Sequence, residues 1–259
     1  MSVIETNNFK IGYIDAGKAI NNRLPLIFLH GVGSDKSVWQ RQIDYFSQKM
    51  RVAAFDYPGY GESDLSPKDL TREEIARYLI EAMDELKIDK AHFCGLSMGG
   101  VIALEIYRQA PERVMSLTLA NTFAKHPEGA LILERSLKFI ETHSMREFAD
   151  QRVDFLLAAQ TNDEVRREVV ETMARINKQT YRWSSRAVWT ADYLFFLPQI
   201  KAPTLVIGAD FDAPTPPALS AELAGKIPNT RLEIIQNAGH LSNLDQPQIF
   251  NQLVEKFVD

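Results

Sequence analysis

Compact apolar runs alternate with segments of helical periodicity along most of this chain, and this alternation restricts the fold more than any other feature. Each apolar run is short and bounded by turn residues, which is typical of a buried strand. The apolar runs cover residues 24–31, 51–56, 91–97, 116–122, 203–210 and 231–236. The segments with helical periodicity cover residues 37–48, 71–87, 99–109, 216–227 and 246–258. Strands that alternate with helices predict an α/β fold, in which a mostly parallel sheet is covered on both faces.

The N-terminal segment adds to this sheet. Residues 3–17 resemble two short antiparallel strands, which brings the predicted sheet to about eight strands. Thr71 followed by Glu74 matches a capping box, so we expect the second helical segment to begin there.

The alternation fails once, between residues 123 and 200, where no strand is evident. This stretch contains amphipathic segments over 130–143 and 162–177, followed by an aromatic-rich segment over 181–196. We therefore expect one domain over 1–259, with a core of 1–122 and 201–259 and a helical cap of about 123–200. Such an insertion is either a lid over a site or a helical subdomain without a chemical role. The lid is favoured because ligands of parallel sheets bind at the carboxyl ends of the strands.

Composition excludes several classes of protein. The formal net charge of −5 and the absence of a basic stripe argue against nucleic-acid binding. No apolar run approaches the ~18 residues of a membrane span, and the first residues lack the pattern of a signal peptide, so we expect a cytoplasmic protein that does not bind membranes. A single cysteine, Cys94, is too few for a disulfide or a zinc cluster, and its apolar run predicts a buried core residue. The sequence is compatible with a monomer and with a homo-oligomer.

A G-x-S-x-G motif, Gly95-Leu96-Ser97-Met98-Gly99, lies where an apolar run gives way to a helical segment. The bare pattern occurs by chance in roughly one chain in ten of this length, and small residues there could simply serve packing. The strand–turn–helix context is what a nucleophile elbow requires, because the sharp turn has no room for side chains at the flanking positions. Ser97 is therefore the candidate nucleophile.

A serine nucleophile needs a base, and the base needs a carboxylate. His240 is the best base, because it follows the last predicted strand in a glycine-containing loop at the same sheet edge as Ser97. Surface or packing roles are favoured for the other candidates in strands or in the insertion, His92, His126 and His143. For the acid, Asp212 is preferred to Asp210 because the rigid Ala-Pro-Thr-Pro-Pro loop follows it.

Two backbone amides could receive a developing oxyanion. The segment His30-Gly31-Val32-Gly33 follows an early strand at the same edge, and its glycines allow the amide groups to turn toward the site. We expect the amides of Val32 and Met98 to form the pair. A plain tight turn is the competing explanation for the glycines.

These segments resemble, in order, those of the α/β-hydrolase fold family over nearly the whole chain. The His-Gly segment with Trp39 downstream, the turn over 56–63, and the segments around Ser97, Asp212 and His240 all match, and Ser-Asp-His is the family's chain order. The pattern is closest to small esterases and 3-oxoadipate enol-lactonase-like proteins. It differs from those lactonases in having His-Gly where they tend to have Asn-Ser, and from C–C bond hydrolases in having Leu241 where they usually have tryptophan.

The resemblance implies a serine hydrolase of carboxylic esters that acts through an acyl-enzyme on small-molecule esters or lactones, without metal or cofactor. The alternatives are an enol-lactonase of dicarboxylate lactones, a C–C bond hydrolase and a low-turnover ligand sensor. Because His240 must be neutral, activity should fall as pH decreases through roughly 6 to 7, where histidine side chains become protonated.

Substrate choice is expected to come from the insertion and the site loops. The predicted pocket residues are His30, Phe123, Trp183, Trp189 and Leu241, and Tyr193, Phe195 and Phe196 are further aromatic candidates. An aromatic cluster at helical spacing is otherwise typical of core packing. An arginine of the insertion that turns inward could bind a substrate carboxylate. The candidates are Arg135, Arg146, Arg152, Arg175, Arg182 and Arg186.

Overall fold

The computed structural model describes residues 2–7, 9–18 and 23–259. Its strands are β1 Ser2–Glu5, β2 Lys10–Ala16, β3 Leu26–Leu29, β4 Val52–Phe55, β5 Ala91–Leu96, β6 Val114–Ala120, β7 Thr204–Ala209 and β8 Thr230–Ile235. Its α-helices are α1 Gln40–Phe46, α2 Arg72–Glu85, α3 Met98–Gln109, α4 Gly129–Thr142, α5 Met145–Leu156, α6 Asp163–Ala174, α7 Lys178–Trp189, α8 Pro217–Lys226, α9 Ser242–Asp245 and α10 Pro247–Val258. Short 3-10 helices cover Lys36–Trp39, Pro111–Arg113 and Leu197–Gln199.

The described strands form one eight-stranded sheet in the order β1-β2-β4-β3-β5-β6-β7-β8. β1 and β2 pair antiparallel, β2 is antiparallel to β4, and every pairing from β4 to β8 is parallel. Each of the six apolar runs matches one parallel strand to within two residues at either end, and the antiparallel pair β1 and β2 lies in the N-terminal segment where two strands were predicted. The predicted α/β fold with a mostly parallel sheet is confirmed.

The central strands are apolar along their whole length because both faces of the sheet are covered. Every residue of β3, β4, β5 and β7 is buried. Helix α3 packs against β3, β5 and β6, whereas α8 packs against β7 and β8. The sheet therefore holds the loops at its carboxyl ends on a rigid frame.

Helix α2 begins where the sequence predicts. The Thr71 side chain accepts a hydrogen bond from the Glu74 amide, and the Glu74 side chain accepts one from the Thr71 amide. This reciprocal pair satisfies two amides that would otherwise lack partners at the helix end.

Helices α4 to α7 lie between β6 and β7 in the chain, in the stretch without predicted strands. Helix α5 packs against α6, and α4 packs against α7. The end of α5 and the residues after it are bonded to the loop after β8 and to α9. The amide of Leu241 donates to the carbonyl of Leu156 at 2.9 Å, and the amide of Ala158 donates to the Asp245 carboxylate at 2.9 Å. The insertion is thus attached to the carboxyl edge of the sheet.

No helix within the described part of the chain is both long and apolar enough to cross a membrane. Among the same residues, no group of three or more His, Cys, Asp or Glu side chains is arranged to hold a metal ion.

His92 at the start of β5 generates a pH-dependent prediction. Its side chain is only 8% exposed, Nδ1 lies 2.7 Å from the Ser116 hydroxyl, and burial lowers its pKa to about 4. The unfolded chain therefore binds a proton more readily below about pH 6.5, and stability should decrease between about pH 6.5 and pH 4. The His92 contribution should lower the free energy of unfolding by about 2 kcal/mol between pH 7.5 and pH 5.

Urea unfolding of the wild type and His92→Gln at both pH values would measure this contribution. The glutamine keeps a polar group near Ser116 without a titratable imidazole. The free energy of unfolding of the variant should therefore decrease by about 2 kcal/mol less than that of the wild type between pH 7.5 and pH 5. Equal losses in the two proteins would contradict the assignment to His92.

Candidate active site

Ser97 lies at the sharp turn between β5 and α3. Its backbone adopts φ 56° and ψ −118°, a conformation that side-chain-bearing residues rarely adopt. The turn is held by hydrogen bonds on both sides: the Ser97 amide donates to the Ala120 carbonyl at 2.9 Å, and the Thr122 hydroxyl donates to the Ser97 carbonyl at 2.7 Å. The neighbouring strand β6 and the residues after it therefore stabilise the strained serine.

The flanking glycines are needed because other backbone atoms occupy the space of a side chain. A Cβ at Gly95 would lie 2.3 Å from the Gly99 carbonyl oxygen, and a Cβ at Gly99 would lie 2.0 Å from the Leu29 carbonyl oxygen. Neither neighbour is a flexible side chain that could move aside. The motif thus has the geometry of a nucleophile elbow.

His240 and Asp212 are in direct contact at the carboxyl edge of the sheet. Asp212 follows β7, His240 follows β8, and the His240 Nδ1 lies 3.0 Å from Oδ1 and 3.2 Å from Oδ2 of Asp212. Asp210 instead accepts a hydrogen bond from the Ala238 amide at 3.1 Å, which connects the loop before His240 to the end of β7. The structure therefore pairs the imidazole with Asp212.

Asp212 is buried and remains an anion because it is surrounded by donors. Thr215 donates to it from its amide at 2.8 Å and from its hydroxyl at 2.6 Å, and the Asn121 side-chain amide donates at 2.8 Å. Burial alone raises the pKa of Asp212, but the attraction of His240 and the hydrogen bonds from His240, Thr215 and Asn121 lower the pKa below its ordinary value. An ionised Asp212 can hold the imidazole with its Nδ1 proton inward.

Ser97 and His240 both line one cavity of about 60 Å³. Within the described residues the Ser97 hydroxyl forms no hydrogen bond, so its direct contact with His240 stays a prediction. Such bonds are often long before substrate binds. Because Asp212 occupies Nδ1, the nitrogen of His240 that is available to Ser97 is Nε2.

Two backbone donors near Ser97 lack acceptors. Val32 lines the same cavity, and Met98 is the first residue of α3. Neither amide donates a hydrogen bond to another residue in the part of the chain that the structure describes. The Met98 amide lies at a helix N-terminus, where the helix dipole favours negative charge.

The predicted pocket residues fall into two groups. Trp189 and Leu241 line the cavity, whereas His30, Phe123 and Trp183 do not. His30 is fully buried behind it, where Nδ1 bonds the Gly31 carbonyl and its ring packs on Tyr57 at 4.1 Å. Phe123 stacks on the Trp189 ring at 5.5 Å, and Trp183 packs edge-on against Tyr60. These three rings support the wall rather than form it.

The predicted arginines of the insertion also differ in whether they line the cavity. Arg152 is the member of the predicted set that lines the cavity. Arg146 pairs with Glu171, Arg186 pairs with Asp69, and both arginines are half exposed. His126 is a packing residue: Nε2 lies 3.1 Å from the Pro214 carbonyl, and burial lowers the pKa of His126.

Sequence reasoning missed the residues that hold Ser97 and Asp212 in place. Thr122 holds the Ser97 carbonyl, Thr215 and Asn121 bond Asp212, and the Ser242 hydroxyl donates to Asn121 at 2.6 Å. The sequence feature that could have identified two of them is their position, since Asn121 and Thr122 directly follow β6. Short polar residues at strand ends are common, however, and the pattern does not single them out.

A comparison with known proteins places the chain in a family. The model of the alpha/beta hydrolase family matches residues 26–253, and the chain belongs to this family. Two similar curated proteins are 3-oxoadipate enol-lactonases of Acinetobacter baylyi. Enol-lactonase 2 is 31% identical over 95% of this chain and 91% of its own, and enol-lactonase 1 is 29% identical over 92% and 89%.

Solved structures agree with these relatives. An enol-lactonase from Burkholderia xenovorans is 28% identical with a TM-score of 0.92 and covers 99% of both chains. A malate-bound esterase from Thermogutta terrifontis is 26% identical with a TM-score of 0.91, over 99% of this chain and 97% of its own. Since these relatives are hydrolases, the protein is a hydrolytic enzyme, and the predicted resemblance is confirmed.

Thr215→Val should impair the predicted role of Asp212 with little change in side-chain volume. It removes the hydroxyl donor to Asp212, and a hydrogen bond to a charged group contributes about 1.5–3 kcal/mol. We expect kcat in ester hydrolysis to fall roughly tenfold with little change in KM. Steady-state kinetics would measure both values, with Thr215→Ser as the control that keeps the hydroxyl. A Thr215→Ser variant as impaired as Thr215→Val would contradict the hydrogen-bonding role.

Proposed function

We propose that this enzyme hydrolyses carboxylic ester bonds through an acyl-enzyme formed on Ser97. The observation that carries the proposal is the His240–Asp212 contact of 3.0 Å at the cavity that Ser97 also lines. A nucleophile, a base and an orienting carboxylate at one cavity are the parts that acyl transfer requires.

Acylation begins when the Ser97 oxygen attacks the ester carbonyl carbon and His240 Nε2 takes the hydroxyl proton. Negative charge develops on the carbonyl oxygen, where the free amides of Val32 and Met98 would donate hydrogen bonds. The ionised Asp212 stabilises the positive imidazole. His240 then returns the proton to the leaving alcohol, and the carbon–oxygen bond of the ester breaks.

Deacylation repeats these steps with water. His240 takes a proton from water as it attacks the acyl carbon, the same amides receive the oxyanion, and Ser97 leaves with the proton that His240 returns. The products are an alcohol and a carboxylic acid. The strained backbone of Ser97 holds its oxygen at the end of β5 throughout the cycle.

The insertion is proposed to act as the cap of this site, with residues 1–122 and 201–259 as the core. The cavity wall opposite the strand ends comes from α5, α6 and α7, which contribute Leu156, Val169, Met173 and Tyr181. These mostly apolar side chains would exclude water and select the substrate's shape.

A lactone is a cyclic ester, so the same steps would open an enol-lactone. The names of the two Acinetobacter baylyi relatives favour this second candidate. A hydrolase of 2-hydroxy-6-oxononadienedioate is also similar, at 27% identity, and supports C–C bond hydrolysis less strongly. Leu241 lines the cavity beside His240, where C–C bond hydrolases usually have tryptophan.

Ser97→Ala tests the proposal directly. We expect hydrolysis of 4-nitrophenyl butyrate to fall by about 10⁴-fold or more, because the substitution removes the proposed nucleophile. Labelling by a fluorophosphonate probe should disappear at the same time. Ser66→Ala, in the loop between β4 and α2, is the control and should retain both properties.

Persistent labelling or hydrolysis in purified Ser97→Ala would overturn the assignment of the nucleophile. A panel of butyrate esters, enol-lactones and vinylogous diketone acids would then rank the three reactions. Tight ligand binding with negligible turnover of every class would instead favour the ligand sensor.

A further inference from the structure

We infer that the substrate of this enzyme carries a free carboxylate, and that Arg152 and Trp189 bind it. This inference rests on the proposed function, because it names the class of ester or lactone that the same site accepts. It depends on the charges and the unpaired donors of the cavity wall.

Among the described arginine and glutamate residues that line the cavity, one positive charge has no partner. Arg41 of α1 and Glu168 of α6 both line the cavity, and they pair with each other at 3.0 Å. Arg152 of α5 also lines the cavity, but it forms no ion pair or hydrogen bond with any other described residue. Its guanidinium lies 5.7 Å from the Phe148 ring, which contributes a cation–π contact but no acceptor.

Two donors in this wall are buried and unsatisfied. The Arg152 Nε and the Trp189 Nε1 are inaccessible to solvent and have no hydrogen-bond partner among the described residues. Leaving a buried donor unpaired is unfavourable, so such groups in a folded protein call for a physical explanation. Both groups can only donate, and the missing partner is therefore an acceptor.

The position of the two residues indicates which molecule supplies the acceptor. Arg152, Trp189 and Pro214 line both the inner cavity and an adjoining outer groove of about 540 Å³. A substrate with its ester at Ser97 and its tail toward the groove would pass these residues. The groove also contains His126 and Arg135, and its carboxylate is that of Glu128.

A carboxylate meets all of these requirements. It has only acceptors, it is negative, and the fork of a guanidinium binds it through paired hydrogen bonds. A neutral acyl chain would leave both donors and the charge of Arg152 unpaired. The site therefore favours half-esters or lactones of dicarboxylic acids over neutral esters of the same length.

A matched pair of esters tests this preference. Mono-4-nitrophenyl glutarate and 4-nitrophenyl valerate share the acyl length and differ in the terminal carboxylate. We expect kcat/KM of the wild type to be at least about tenfold higher for the glutarate, since charge-assisted hydrogen bonds contribute about 1.5–3 kcal/mol. Hydrolysis by Ser97→Ala provides the background rate for each ester.

Variants then assign the preference to the two residues. Arg152→Gln should lower kcat/KM for the glutarate by about 10- to 100-fold and change kcat/KM for the valerate less than about threefold. Trp189→Phe keeps the ring and removes only the N–H, so it should lower the glutarate value by roughly threefold to tenfold. Arg146→Gln removes one exposed arginine of the same insertion and should leave the ratio of the two esters unchanged.

Binding of glutarate to Ser97→Ala, measured by calorimetry, separates this inference from the proposed hydrolysis. The double variant that carries both Ser97→Ala and Arg152→Gln should bind glutarate about tenfold or more weakly than Ser97→Ala alone. A wild type that prefers the valerate, or an Arg152→Gln change that affects both esters equally, would overturn the inference and leave esterase activity intact. Arg152-dependent glutarate binding without Ser97-dependent turnover would support the inference and overturn the hydrolysis.

If Arg152→Gln fails to fold, Arg152→Lys and Trp189→Phe decide the question. Lysine keeps the charge but loses the fork, so it should retain part of the preference for the glutarate. An unchanged ester ratio in both variants would overturn the inference.

Discussion

Parallel pairing of four neighbouring strands is the constraint on which the rest of the site depends. Because β5, β6, β7 and β8 run in one direction and lie side by side, their carboxyl ends meet at one edge. Each of these strands is followed by one residue of the candidate site: Ser97, Asn121, Asp212 and His240. Strand order thus brings residues that are distant in the chain to one edge. A shift in the register of one strand would displace the site residue that follows it.

The fold and the positions of Ser97, Asp212 and His240 at one sheet edge could be predicted, because both depend on repeating or local patterns. Strand alternation follows from burial, and the glycines around Ser97 follow from the space that the turn denies to side chains. The choice of Asp212 over Asp210 also had a local reason in the rigid loop that follows it. A single sequence is informative where sterics or periodicity act over a few residues.

The cavity wall could not be predicted to the same extent because it depends on side-chain direction between distant helices. His30 follows β3 at the correct edge, yet its ring turns inward and packs on Tyr57. Phe123 and Trp189 are both buried aromatic residues, but only Trp189 belongs to the lining, with Phe123 stacked behind it. Sequence spacing does not encode which ring of a stacked pair faces the substrate.

Hydrogen bonds join the end of α5 and the residues after it to the segment that carries the candidate base, His240. Leu156 and Ala158 are bonded to Leu241 and to Asp245, and the Asp245 carboxylate also accepts from the Gly239 amide at 2.7 Å, next to His240. The end of α5 is thus linked to the residues on both sides of His240. Sequence changes in the insertion that suit new ligands must therefore leave the C-terminal turn of α5 in place. The outward helices of the insertion can vary more freely.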